Sequence, residues 1–187
     1  MGRLNPEYLH KFSKNNNFIE TGTYQGDTVL IADNFGFKNI FSVEIDLKLF
    51  EYCKDKFKDY NHINIYRGDS PDVLKDIIVP QLKEQSTFWL DAHRSGALKT
   101  PGSEKYGACP LVDEVNAIAT SPIKNHVIFA DDRRLFGTPG WDYLNESEFV
   151  NALKQINENY VVEYLDGGIS YGRTFPIDDI IVAYVPE

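Results

Sequence analysis

The chain has 187 residues, 42% of them apolar and 13% aromatic, enough to close one core of ordinary domain size, and a single domain over 1–187 is expected. Its formal net charge of −9 argues against general affinity for a phosphate backbone, and no apolar run approaches the roughly 20 residues needed to span a bilayer. Met1-Gly2-Arg3-Leu4-Asn5-Pro6 holds no signal-like apolar segment, and Cys53 and Cys109 fall far apart in unlike contexts, so the composition predicts a cytoplasmic protein without a disulfide.

In chain order the pattern alternates strands and helices, the signature of a mostly parallel, doubly wound α/β sheet. Within residues 1–16, a short leading helix started by Asn-Pro is read over Asn5 to Ser13. A strand over Asn17 to Glu20 then runs into Glu20-Thr21-Gly22-Thr23-Tyr24-Gln25-Gly26, ahead of a helix from Asp27 to Asn34. A glycine turn lets backbone approach a ligand without Cβ interference, and the free N–H groups of the following helix face that ligand. Gly22-x-x-x-Gly26 is not the G-x-G-x-x-G order that brings a helix up to a pyrophosphate, so a nucleoside-like cofactor without one is favoured. The second strand, 39–44, ends on Glu44, 22 residues beyond Gly22, where a carboxylate can accept both ribose hydroxyls across a βαβ unit.

Asp46 is expected to cap a helix over Leu47 to Lys58, with Cys53 in a buried stripe beside Leu49, Phe50 and Phe57. A third strand, 62–67, leads to Gly68-Asp69, and a helix is read from Pro71 to Lys83. Strand four, 87–91, closes on Asp91-Ala92-His93; strand five, 126–131, closes on Asp131-Asp132; a helix over Pro110 to Ala119 lies between, with Cys109 packing or capping at its start. The segment 93–109, with Gly96, Pro101, Gly102 and Gly107 beside Lys99 and Lys105, is too irregular and polar for a core element and reads as a substrate loop, as does 137–145. Arg133-Arg134 with Phe136, Trp141 and Tyr143 would suit stacked nucleotides, but the surrounding charge is acidic and Trp141 reads better as a lid or pocket wall. A helix over Glu146 to Glu158 follows, then strands over Tyr160 to Leu165 and Ile180 to Val185, joined by the Gly- and Asp-rich 166–179.

The Glu20–Gly26 loop, the acidic end of strand two at Glu44 and the Gly68-Asp69 after strand three resemble the first three motifs of the class I S-adenosylmethionine-dependent methyltransferases. The resemblance continues almost to the C-terminus. It implies a Rossmann-like, seven-stranded sheet of order 3-2-1-4-5-7-6 with the last strand antiparallel. It also implies a cofactor site made by Glu20, Gly22, Thr23, Gly26, Glu44, Asp69 and Asp91. No Asp/Asn-Pro-Pro-Tyr/Phe sequence follows strand four, which demotes methylation of a nucleic-acid base.

Asp91, Asp131 and Asp132, at two strand ends predicted to converge, make a candidate hard-cation site with oxygen ligands of the kind Mg²⁺ prefers. This is similar to the metal-dependent catechol- and macrocin-type O-methyltransferases, and implies that a metal lowers the pKa of an acceptor hydroxyl and fixes it in line with the methyl group. His93 is the available general base, with metal or substrate contact as its alternative; Arg94 stands near where catechol-type enzymes often carry a Lys, and a guanidinium cannot act as a base. Capping and loop anchoring are the structural alternatives for Asp91, His93, Asp131 and Asp132. The expected reaction is O-methylation of a small hydroxylated acceptor, in a pocket that a second copy of the chain could complete. Metal-independent transfer and a non-catalytic cofactor-binding module are the alternatives.

Overall fold

The computed structural model describes residues 4–94, 102–167, 169–170, 173–174 and 177–186. The expected positions Met1 to Arg3, Gly96, Lys99 and Pro101, and parts of the 166–179 connection, lie outside the described residues. The strands are β1 (Asn17–Thr21), β2 (Asn39–Glu44), β3 (Ile63–Arg67), β4 (Ser86–Leu90), β5 (Val127–Ala130), β6 (Val161–Leu165), β7 (Ile169–Ser170), β8 (Arg173–Thr174) and β9 (Ile180–Tyr184). The α-helices are α1 (Pro6–Phe12), α2 (Asp27–Phe35), α3 (Leu47–Lys56), α4 (Ser70–Val73), α5 (Leu111–Ala119) and α6 (Glu146–Ile156). The main sheet runs β3-β2-β1-β4-β5-β9-β6, with β9 antiparallel to both neighbours, and β7 and β8 form a separate two-stranded ribbon. This is the expected 3-2-1-4-5-7-6 order.

Helices cover both faces of the sheet, which is why β1, β4 and β5 are buried at every position, the polar Asn17, Glu20, Thr21, Ser86 and Thr87 included. One core layer packs Leu74, Ile78, Leu111, Val115, Ile118, Phe149, Leu153 and Tyr160 against one face. The other sets Leu9, Phe12, Val29, Ala32, Cys53 and Phe57 against the opposite face. Local chemistry sets the helix ends. Asp46 Oδ1 accepts from the N–H of Lys48 (2.8 Å) and Leu49 (3.0 Å), and Asn145 with Glu148 forms a capping box on α6. Gly36 ends α2 at φ 102°, a left-handed conformation that a Cβ would disfavour.

The segment read as one helix over Pro71 to Lys83 is instead broken. After α4 it widens to a π-turn over Leu74–Ile78 and then tightens to a 3₁₀ turn over Val79–Gln81. Pro80 has no N–H to donate and its ring crowds the preceding turn, so the regular ladder cannot continue through it. Cys53 is buried and its thiol donates to the Tyr24 carbonyl (3.2 Å), while Cys109 is half-buried against the first core layer; neither is in a disulfide. No helix among the described residues is long and apolar enough to cross a membrane.

Candidate functional site

The carboxyl ends of β1 to β5 open into a cavity of about 410 Å³, within the range of a small-molecule site. Its lining includes Gly22, Glu44, Asp69, Ser70, Asp91, His93, Arg94, Asp132, Arg134 and Trp141. Gly22, at φ 84°, lies so close to β4 that a Cβ there would sit 2.5 Å from the Asp91 carbonyl oxygen. The glycine thus permits the approach of two strand ends, which brings Asp91 beside the loop after β1.

At the end of β2, the backbone holds the carboxylate. Glu44 Oε2 accepts from the Tyr24 N–H (2.7 Å) and Oε1 from the Asp46 N–H (2.9 Å), which fixes its orientation on the cavity wall. Burial raises its pKa, against the lowering effect of those two donors. Asp69 precedes α4 and lines the cavity, with Oδ1 buried and unpartnered. An orphaned buried acceptor on a cavity wall is a place for a ligand donor.

Three residues assigned to the cofactor from sequence do not line this cavity. Glu20 is 1% exposed beneath it, accepts from Ser42 Oγ (2.7 Å), and is pushed by burial up to about 8, so it is protonated at neutral pH. Thr23 turns its hydroxyl to the same Ser42 Oγ (2.6 Å). Since Ser42 donates to Glu20, Thr23 is the donor in that pair. Gly26 caps α2 at φ 76° and faces α3, where a Cβ would meet the Phe57 ring at 2.5 Å. These three build the floor under the loop. Sequence spacing cannot separate a residue that faces a ligand from one that supports the turn.

On the side of β4 and β5, side-chain cations hold the carboxylates. His93 Nε2 lies 2.7 Å from Asp132 Oδ2 and 3.2 Å from Asp91 Oδ1. Burial works to lower the imidazole's pKa, but the hydrogen bonds and charges of Asp132 and Asp91 outweigh it and hold it up at about 10. In this setting His93 is an imidazolium at neutral pH, without the free lone pair that its expected role as general base requires. Arg134 lies 2.6 Å from Asp132 Oδ1, an ion pair without hydrogen-bond geometry, and also pairs with Asp179 Oδ2. Burial raises the Asp132 pKa, yet His93 and Arg134 bring it below the ordinary carboxylate value, while burial dominates at Asp91 and raises it.

The expected cation triad is gathered differently. Asp91, His93 and Asp132 bring one ligand atom each within 4.8 Å of the others, as do Asp131, Asp132 and Asp179, so Asp132 belongs to both sets and Asp131 does not join Asp91. Asp131 Oδ1 turns back to accept from the Asp132 N–H (2.9 Å), supporting Asp132 in its left-handed conformation at φ 61°. Burial, then the charges of Asp91 and Asp132, raise the Asp131 pKa well above normal.

Sequence reasoning missed Asp179, which lies just before β9 and reaches the site only because that strand inserts beside β5. It also missed Glu114 on α5, buried with Oε1 unpartnered and pushed by burial to about 7. The described parts of the two expected substrate loops are tied together: Asp142 Oδ2 accepts from the Ala108 N–H (2.6 Å), and Arg94 N–H donates to the Ala108 carbonyl (2.7 Å). Lys105 and Tyr106 fasten the first loop to Asp72 on α4, at 2.7 Å and 2.6 Å. Trp141 lines the cavity between His93 and Phe136, with ring centroids 5.2 Å and 5.1 Å away.

No protein-family model and no curated protein sequence matches the chain. Solved structures do. The O-methyltransferase TomG from Streptomyces achromogenes, solved with S-adenosylmethionine, superposes at TM-score 0.63 and 12% identity over 97% of this chain and 78% of its own. A methyltransferase from Streptococcus mutans, SMU.1697c, solved with S-adenosylhomocysteine, gives 0.62 at 9% identity over 96% and 95%. Spermidine synthase from Thermotoga maritima gives 0.59 at 15% over 97% and 57%, so the shared frame serves more than one transfer. At such identities the likeness carries architecture alone: this chain has the Rossmann-like fold of the class I S-adenosylmethionine-dependent methyltransferases.

Proposed function

We propose that the protein is an S-adenosylmethionine-dependent methyltransferase that methylates a hydroxyl of a small acceptor in the cytoplasm. The observation that carries this reading is one cavity with Glu44 and the orphaned Asp69 Oδ1 on one side and the Asp91–His93–Asp132 cluster on the other. Glu44, held in place by two backbone donors, accepts the ribose hydroxyls, and Asp69 accepts from the adenine amino group. Bound there, the cofactor would supply an electrophilic methyl on a sulfonium, with a neutral thioether as its leaving group. Asp91 and Asp132 orient the acceptor hydroxyl, and Asp91, whose pKa burial raises, takes its proton while His93 stays the cation between the two carboxylates.

The Asp91, His93 and Asp132 donors also fit a divalent cation, which would lower the pKa of the acceptor hydroxyl. A mixed nitrogen and oxygen set suits Mn²⁺ better than the Mg²⁺ expected from three carboxylates. Metal-independent transfer is the second reading, favoured by the two cations already at the cluster, His93 between Asp91 and Asp132 and Arg134 between Asp132 and Asp179. A non-catalytic cofactor-binding module would bind without turnover. Calorimetry with S-adenosylhomocysteine, followed by methyl-transfer assays with and without EDTA, separates the three. No binding sinks all of them, binding without transfer leaves the module, and full turnover in EDTA selects the metal-independent enzyme.

A further inference from the structure

The loop-built wall of the cavity is lined by hydrogen-bond donors that lack acceptors among the described residues. Trp141 is 2% exposed, and its indole Nε1–H is buried and unpartnered. An indole has only that donor to offer, and the rings of His93 and Phe136 pack beside it. Ser103 Oγ accepts from the N–H groups of Tyr106 (2.8 Å) and Lys105 (3.1 Å), so both lone pairs are engaged and the hydroxyl proton remains to be donated. Arg94 lines the same cavity and has no carboxylate within ion-pair distance among the described residues. The other cations there, His93 and Arg134, each meet two carboxylates. Arg94 is therefore the cation in excess.

Donors without acceptors among the described residues, one of them an unpaired guanidinium, are complementary to a group that accepts and carries negative charge. We propose that the acceptor presents an oxyanion, a carboxylate or a phosphate, to Arg94, Ser103 and Trp141, while its hydroxyl faces Asp91, His93 and Asp132. The role of that hydroxyl rests on the methyltransferase reading; the oxyanion subsite is tested without turnover.

The chain has two tryptophans, so ¹⁵N labelling gives two indole signals, assigned with Trp141→Phe, and the fully buried Trp89 serves as internal reference. The protein is titrated with 4-hydroxybenzoate, phenyl phosphate and the neutral 4-hydroxybenzamide, with and without S-adenosylhomocysteine. The Trp141 signal should move with either oxyanion, and at least one oxyanion should bind about tenfold or more tightly than the amide, the scale of one charge-assisted hydrogen bond. The preference between benzoate and phenyl phosphate identifies the group. Arg94→Gln should abolish discrimination against the amide. Equal binding of acid and amide by the unaltered protein, or undiminished discrimination in Arg94→Gln, overturns the proposal. Binding of S-adenosylhomocysteine, read by calorimetry, judges the cofactor assignment separately: oxyanion discrimination without it would keep the subsite and remove the methyltransferase reading.

Discussion

At the end of β2 the backbone holds the carboxylate that faces the cavity, whereas at the ends of β4 and β5 side-chain cations hold them and link carboxylates far apart in the chain. Glu44 is fixed by the N–H groups of Tyr24 and Asp46, both encoded within or beside the strand-turn-helix units that carry it. Asp91 and Asp132 are bridged by His93, and Arg134 ties Asp132 to Asp179, 47 residues further along the chain. The first arrangement fixes position, which under the proposed function suits an invariant cofactor. The second leaves charge to depend on protonation, on a bound cation and on loop placement, which under the same proposal suits the end of the cavity where the acceptor loses its proton.

The largest expected effect comes from breaking the contact that joins the two halves. In Gly22→Ala, a left-handed residue would carry a Cβ 2.5 Å from the Asp91 carbonyl oxygen and 2.9 Å from its carbon, backbone that cannot move aside cheaply. A loss of about 2–4 kcal/mol in denaturant unfolding is expected, together with loss of S-adenosylhomocysteine binding. A variant with unaltered stability and affinity would mean that β1 and β4 do not depend on each other there.

Glu44→Ala tests the backbone-held half. Removing the carboxylate deletes the ribose acceptor and leaves two N–H groups without their partner, so affinity for S-adenosylhomocysteine should fall about 10- to 100-fold, with about 1–2 kcal/mol lost in stability. Glu44→Gln keeps one acceptor oxygen and should recover part of both. Unchanged affinity in Glu44→Ala, measured by calorimetry, would remove the cofactor assignment.

The same contrast decides what could be read from sequence. The Asp46 cap and the acidic ends of β2 and β3 were legible because each is set by residues close together in the chain, whereas the strand order came from the family resemblance those ends carry. Which members of Glu20 to Gly26 face the cavity was not legible, because Glu20 and Thr23 are turned away by Ser42 on the neighbouring strand and Gly26 by Phe57 at the end of α3. The pairing of Asp91 with His93 and Asp132, rather than with Asp131, depends on the left-handed Asp132. Asp179 became visible only once β9 was paired with β5.

The cation-held half is sharpened by following protons. His93 should remain an imidazolium at pH 7 in NMR, and Asp132→Asn, which removes its 2.7 Å partner, should bring its pKa down. Binding of Mn²⁺ by Asp91, His93 and Asp132 would require the imidazolium proton to leave, so a titration in weak buffer should release about one proton per ion and tighten as pH rises. Absence of release, with turnover indifferent to EDTA, would favour metal-independent transfer.

Stability against pH reports on both halves at once. Glu20 is raised from 4.5 to about 8 and Glu114 from 4.5 to about 7, chiefly by burial, so the folded protein keeps protons that the unfolded chain has released above pH 4.5. Their contribution is present in full below 4.5 and is lost as pH rises through 7 and 8. That of His93 is present in full below 6.5 and is lost as pH rises through 10. The urea midpoint should therefore fall between pH 5 and pH 9, and Glu20→Gln, which keeps a neutral side chain beneath the cavity, should flatten the decline. A midpoint that rises over this range would mean that these groups ionise freely in the folded state.

The smallest expected change in stability comes at the surface tie between the loop and α4. Asp72 accepts from Lys105 and from the Tyr106 hydroxyl, but all of this lies in solvent, where an ion pair contributes little to folding. Asp72→Ala should leave the melting temperature within error of the unaltered protein. The loop is a different matter, because the Asp142 contacts and the Arg94–Ala108 hydrogen bond would then hold it from one side only. Limited proteolysis should cut faster within 102–109, and the Michaelis constant for the acceptor should rise a few-fold while affinity for S-adenosylhomocysteine stays constant, since Glu44 and Asp69 do not depend on that loop. A parallel loss of cofactor affinity would show that the two halves of the cavity are coupled through the loop, and would end the distinction between a backbone-held cofactor side and an adjustable acceptor side.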